Sequence, residues 1–290
     1  LSSYSRFWRV FRRNKLAIFG GLVVFMFCLV AVLAPWIAPH DPYVGDLLWR
    51  LRPPAWLDGG SWDYPLGTDN LGRDILSRIL YGTRISISLG FLVIGICTAI
   101  GVVLGLVSGY VGGAVDALIQ RVVDTLLAFP YLVFALALMA AFGPGFVNMV
   151  LALTYKEWVT PCRIVRSEVL SAKENTYVEA ARAIGASPPR ILFAHILPNV
   201  VPSAIVVATL RVGWVVLMEA SLSFLGLGIQ PPTPSWGAII ADGRDYLFRA
   251  WWISTFPGIA ILLLVLGINL LGEGLRDALD PRLANAPLEQ

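Results

Sequence analysis

Leu16 to Ile37 reads LAIFGGLVVFMFCLVAVLAPWI, 22 residues without one charge. At 1.5 Å per residue a helix of this length reaches about 33 Å, enough to cross a hydrocarbon layer of about 30 Å. Arg6, Arg9, Arg12, Arg13 and Lys15 precede it, as basic residues precede a signal peptide. The run is longer than an h-region of about 7–15 residues and lacks an A-x-A-like cleavage site, so it reads as a retained first span. Pro35 and Pro39 help to end it.

The same kind of run recurs along the chain. Residues 85–110, a stretch ending near Phe142, then 146–159, 200–225 and 250–271 are each strongly apolar. Hydrophobic residues make up 57% of the 290, charged residues 14%, and the mean hydropathy is +0.72. Soluble domains lie nearer about 45–50% and 25%. The expected fold class is all-α, a polytopic membrane protein with six transmembrane helices. The expected divisions are 1–39 for an N-tail and first helix, 40–84 for an external loop, 85–272 for the transport domain and 273–290 for a C-tail.

Charge placement sets the expected sidedness. The N-terminal tail has five basic residues and no acid, and the polar segment 163–199 carries Arg163, Arg166, Lys173, Arg182 and Arg190. The 40–84 loop balances five Arg against six Asp, and the 226–249 loop two against two. Both termini and the 163–199 loop are therefore expected to be cytoplasmic.

The 40–84 loop is rich in Pro and Trp, with Trp49, Trp56 and Trp62 suited to a membrane interface. Thr68 or Asp69 is placed to cap a short helix reaching about Leu80. Gly101, Gly105 and Gly109 form a small-residue ridge that lets another helix approach. Gly112-Gly113 breaks the chain, Pro130 predicts a kink, and Gly143-Pro144-Gly145 predicts a tight turn. Arg121 and Asp124, three apart, are spaced to pair on one helix face.

Segment 173–199 is the most structured of the polar stretches. Thr176 and Glu179 have capping-box spacing, Ala180, Ala181 and Ala183 favour helix, and Gly185 is a natural stop. Ser187 and Pro188 then open a second short helix over 189–196, and Pro198 is expected to turn the chain into the fifth span. Such a capped elbow with small residues Ala180, Ala181 and Gly185 fits docking into a groove of another protein.

Glu179-Ala180-Ala181, then Gly185, then Leu197-Pro198, resembles the EAA loop of bacterial ABC-importer permeases. One departure is His195, where the family pattern has Ile two residues before Leu-Pro. Leu66-Gly67-Thr68-Asp69-Asn70-Leu71-Gly72-Arg73-Asp74 and Glu219-Ala220-Ser221-Leu222-Ser223-Phe224-Leu225-Gly226-Leu227-Gly228 are similar to signatures of the dipeptide/oligopeptide/nickel branch, specifically its C-type permease. The resemblance implies a type I importer fold in the bacterial inner membrane. It implies a second homologous permease, two cytosolic ATPase subunits that receive the EAA loops, and an extracytoplasmic substrate-binding protein. Short peptides are the implied substrates, with nickel and glutathione as alternatives.

No G-x-x-x-x-G-K-[ST] phosphate loop occurs, so ATP and Mg are expected on the partner subunits, with no cofactor in this chain and no catalytic role for it. Cys28, Cys97 and Cys162 lie apart in apolar runs, and His40 and His195 are isolated, so neither a disulfide framework nor a metal site is indicated. A net charge of +3 with no basic–aromatic tract gives no reason to expect nucleic acid. A self-contained secondary transporter would require inverted repeats, which are not apparent. Glu219, Ser221, Ser223 and Arg211, polar within an apolar span, are the candidates for the translocation pathway, with a salt bridge between helices as the alternative for Glu219. Lys156 and Glu157 point to different sides of a helix and need separate partners.

Overall fold

A computed structural model describes residues 3–279. The helices are α1 (Ser3–Arg13), α2 (Lys15–Ile37), α3 (Ile75–Val111), α4 (Gly113–Ala128), α5 (Tyr131–Phe142), α6 (Phe146–Glu157), α7 (Val159–Lys173), α8 (Thr176–Ala183), α9 (Pro188–Arg190), α10 (Leu197–Phe224), α11 (Trp236–Gly243) and α12 (Trp252–Leu279). Among the described residues there is no strand beyond one isolated bridge, Thr68 to Asp74.

Four helical stretches are long and apolar enough to cross a bilayer: α2, α3, α12 and the continuous run Pro188–Phe224. α4 and α5 make a fifth crossing bent by 87°. α6 is the remaining apolar passage; its 12 residues reach about 18 Å, and it runs through Trp158 into α7. The chain is thus a polytopic α-helical membrane protein of about six crossings.

Glycines set how closely these helices approach. A Cβ on Gly101 would lie 2.7 Å from the Trp158 carbonyl oxygen, one on Gly105 2.6 Å from that of Cys162, and one on Gly109 2.8 Å from Val169 Cβ. The ridge therefore serves α3–α7 packing. A similar approach joins α2 to α12, where a Cβ on Gly20 would stand 2.6 Å from the Gly267 carbonyl oxygen. Asn14 caps α2 by accepting the Ala17 amide at 3.0 Å.

Several local expectations change. The short helix ending near Leu80 is the first two turns of α3, which begins at Ile75. Its cap is Asp74, whose Oδ2 accepts the Ser77 amide at 2.9 Å, rather than Thr68 or Asp69. Arg78 does not end the helix because buried acids neutralise it, as described below. Pro130 produces a full corner, because proline disfavours helical geometry at the residue before it and Phe129 is extended (φ −89°, ψ 132°). Among the described residues, Arg121 and Asp124 form no ion pair.

Loop 40–74 folds back over one end of the bundle, and its centre is a buried charge cluster. Asp69, 0% exposed, accepts Arg73 Nε at 2.6 Å and Arg78 Nη1 at 2.5 Å. Asp242 in α11 accepts Arg73 Nη2 at 3.2 Å and Arg78 Nη2 at 3.1 Å. Two acids and two guanidinium groups balance, which makes the burial tolerable. Trp252 Nε1 adds a bond to the Thr68 carbonyl at 3.0 Å, and Trp236 Nε1 one to that of Ile79 at 3.1 Å. Trp49, Trp56 and Trp62 stand exposed on this layer.

Candidate functional site: an elbow and an intramembrane ion pair

At the other end of the bundle, two residues join α7 to α8. This short link places Asn175, extended at φ −81° and ψ 142°, immediately before the helix and leaves Thr176 as its first helical residue. The Thr176–Glu179 capping box is one residue out of register and does not form. Gly185 ends α8 as expected: at φ +82° it gives its amide to the Arg182 carbonyl, and Ala186 gives its amide to that of Ala181, a Schellman closure.

The return leg also differs. Ser187 precedes α9 without a side-chain capping bond, and Pro188–Arg190 passes into a π-helical turn, Ile191–Ile196. That turn runs straight into α10, so Pro198 sits within a continuous helix instead of turning the chain. A proline here cannot donate to Ala194 and its ring crowds that carbonyl. The widened turn accommodates both faults. Asn199 Nδ2 donates to the His195 carbonyl at 2.7 Å, satisfying a backbone acceptor beside it.

The elbow has one anchored face and one free face. Val178 and Ala181 are buried with Val165, Val169, Ile191 and Ile196. Glu179 and Ala180 are exposed, and so are Gly185 and Pro198. Ile184 is 86% exposed and Phe193 60%. Leu197 is half-buried against the same cluster. Behind the elbow, Arg166 grips Asp116 with two bonds of 2.6 Å, and Lys173 Nζ donates to the Gly109 and Tyr110 carbonyls at 3.2 and 3.1 Å. α7 therefore ties the elbow to the end of α3 and the start of α4.

The candidate pathway residues separate into two groups. Glu219 is 0% exposed and accepts Ser86 Oγ at 3.2 Å and Ser223 Oγ at 2.8 Å, joining α10 to α3. Among the described residues it has no cationic partner, so the interhelical salt bridge considered for it is absent. Arg211 and Ser221 lie instead on the open side of α10, in a strip with Trp214, Leu217 and Leu225.

Arg211 is engaged by Glu157, which sequence alone left unassigned. Nε reaches Oε2 at 2.8 Å and Nη2 reaches Oε1 at 2.6 Å. Glu157 is buried, while the Arg211 side chain is 30% exposed. Lys156 faces elsewhere and donates to the Phe129 carbonyl at 2.7 Å, closing the corner before α5. The separate partners expected of this adjacent pair are present. The signal for Glu157–Arg211 was available: opposite charges inside apolar spans must find one another or water.

Comparison with known proteins places this architecture. Residues 101–285 match the binding-protein-dependent transport system inner membrane component family, and residues 2–54 match the N-terminal transmembrane domain of oligopeptide transport permease C. The chain belongs to this family and is a multi-pass inner-membrane permease of an ABC importer. A dipeptide transport permease of Escherichia coli K12 is 47% identical over 98% of this chain and 94% of its own length. A di/tripeptide transport permease of Pseudomonas aeruginosa is 44% identical over 98% and 94%. A glutathione transport permease of Escherichia coli O6:K15:H31 is 44% identical over 97% and 91%. A chain of the inward-facing MetNI methionine ABC transporter shares the fold, with TM-score 0.58 and 17% identity over 70% of this chain and 97% of its own.

Proposed function

We propose that the chain forms half of a translocation pathway for short peptides and couples it to a cytosolic ATPase through the elbow at residues 176–198. The second half comes from a homologous permease, and an extracytoplasmic binding protein delivers the peptide. ATP and Mg act on the ATPase subunits. Both termini and the elbow are cytoplasmic, in keeping with the basic excess of the N-tail and of residues 163–199.

The observation that carries this reading is the elbow's two-sidedness. Exposed Ala180, Ile184, Gly185 and Phe193 form a small, partly apolar surface of the kind a protein groove receives. The opposite face is anchored in the bundle, so a push on α8 moves α7, α3 and α10 as one body. Glu179 adds an exposed charge beside the contact. The corner at Pro130 is tied to α6 by side-chain bonds from Lys156 to the Phe129 carbonyl, from Tyr131 to the Leu153 carbonyl and from Tyr155 to the Tyr131 carbonyl, so movement of α6 is passed to it.

Two groups of pathway candidates take two roles. Arg211 and Ser221 are half-buried on the open side of α10, and polar side chains there are poorly suited to lipid, so they face the pathway. Glu219 and Ser223 form a buried strut that holds α10 in place. The dipeptide and di/tripeptide names of two close relatives support short peptides as cargo. Glutathione, the cargo named for another relative, is itself a short peptide.

Replacement of exposed Ala180 by Trp tests the coupling. The variant is expected to insert and assemble with the second permease while losing the co-purifying ATPase. Retention of the ATPase at the wild-type ratio would remove the elbow from the interface.

A further inference from the structure

We infer that Arg211 is a contact for the substrate's carboxylate within the membrane, and that Glu157 is the residue that positions it and limits its grip. This inference rests on the short-peptide reading above. All three bonds to Glu157 use one edge of the guanidinium, Nε and Nη2. Nη1 has no hydrogen-bond partner among the described residues, so one of its N–H groups and the outward N–H of Nη2 make a second, free edge. The free edge belongs to a side chain that is 30% exposed on the open side of α10. The Arg211 guanidinium carbon also lies 5.4 Å from the Trp214 ring centroid. Held by Glu157 on one side and Trp214 on another, the guanidinium keeps a fixed orientation.

The chemistry selects the ligand. A planar guanidinium edge with two donors suits a carboxylate, and each short peptide carries one at its C-terminus. An unneutralised arginine would hold that carboxylate too long for transport, because a conducting site must bind weakly enough to release. Glu157 brings the pair to zero net charge while leaving donors free. A pair whose only task was to join α6 to α10 would not need its cation on the open side. Its acid on α6, 2% exposed, shows how complete the burial is on the other side of the same ion pair.

The test uses the assembled importer with its binding protein in proteoliposomes. It measures uptake of a labelled dipeptide and of its C-terminal amide. Two variants are compared, Arg211→Lys and the double variant Glu157→Gln with Arg211→Gln. Both leave no uncompensated charge, and assembly is checked by co-purification. Lysine keeps the pairing but has no second donor edge, so uptake of the free dipeptide should fall about tenfold, the scale of one lost charge-assisted hydrogen bond. The preference for free dipeptide over amide should shrink in both variants. Wild-type rate and preference in either assembled variant would overturn the inference and leave the peptide reading intact. If neither variant assembles, position 211 is structural and the inference falls. If the wild-type importer takes up no dipeptide, the peptide reading fails first and the inference falls with it.

Discussion

The two ends of the bundle use conspicuous motifs in opposite ways. In the loop layer, Asp69, Arg73 and Arg78 turn inward, lose their contact with water and bond one another and Asp242. In the elbow, Glu179, Ala180, Ile184 and Gly185 turn outward, and little within the chain engages them. Both stretches resemble family signatures, yet one is buried in a clasp and the other is left exposed. The difference can be read from bonding: in the loop layer the charges are paired within the chain, whereas the free side of the elbow leaves apolar and charged groups exposed that the fold itself does not use.

The sharpest way to break this contrast is in the clasp. Asp69→Ala leaves Arg73 and Arg78 sharing Asp242 alone, and removing one member of a buried ionic group costs on the order of 3–5 kcal/mol. The expected result is loss of most folded protein in detergent, read as a large fall in thermal-unfolding midpoint and yield. An unchanged midpoint would mean that the clasp carries little of the fold. A smaller effect is expected where the elbow is tied to the bundle. Gly105→Leu would press a side chain against the Cys162 carbonyl and Val165, and overpacking of this kind costs about 1–3 kcal/mol. It should lower the midpoint moderately and weaken coupling, because α7 would be displaced from α3.

How much of this was visible beforehand differs between the two ends for a physical reason. Run length located the long crossings, since a bilayer demands about 20 apolar residues whatever the tertiary context. The start of α3 was not visible, because Arg78 and Arg84 look like loop residues until Asp69 and Asp242 are folded against Arg78. Asp242 lies 164 residues away, and no local pattern reports such a partner. The elbow was legible in outline from Gly185 and the alanines. Its register was not, because the Thr176–Glu179 spacing is right for a capping box and only the two-residue link from α7 moves the cap to Asn175. The π-helical turn escaped for a similar reason: Pro198 reads as a break unless the preceding turn widens. Arg211 was legible as an anomaly, but its partner Glu157 lies 54 residues earlier on another helix.

The strut on α10 gives a finer comparison. Ser223→Ala removes the nearer of the two hydroxyls that bond Glu219, leaving Ser86. Leaving a buried acceptor less satisfied costs about 1–3 kcal/mol, and the neighbouring half-buried Ser221→Ala should cost less, about 0.5 kcal/mol. Comparing unfolding midpoints of the two variants separates a buried strut from a pathway position two residues earlier in the chain. Equal effects would remove the distinction between the two groups.

The smallest effect on stability is expected at the elbow, and there it is most informative. Ile184 is 86% exposed and follows α8, so Ile184→Ser removes apolar surface that already faces water. Exposed substitutions of this kind change stability by less than about 0.5 kcal/mol. The unfolding midpoint of the permease alone should therefore hold. The ATPase should nevertheless bind less tightly, because a surface side chain buried on docking contributes roughly 1.5–3 kcal/mol through the apolar area it removes from water. Unchanged stability with weakened ATPase association would show that this end of the molecule is shaped for a partner. A fall in stability without a change in association would make the elbow a second clasp, and the contrast between the two ends would disappear.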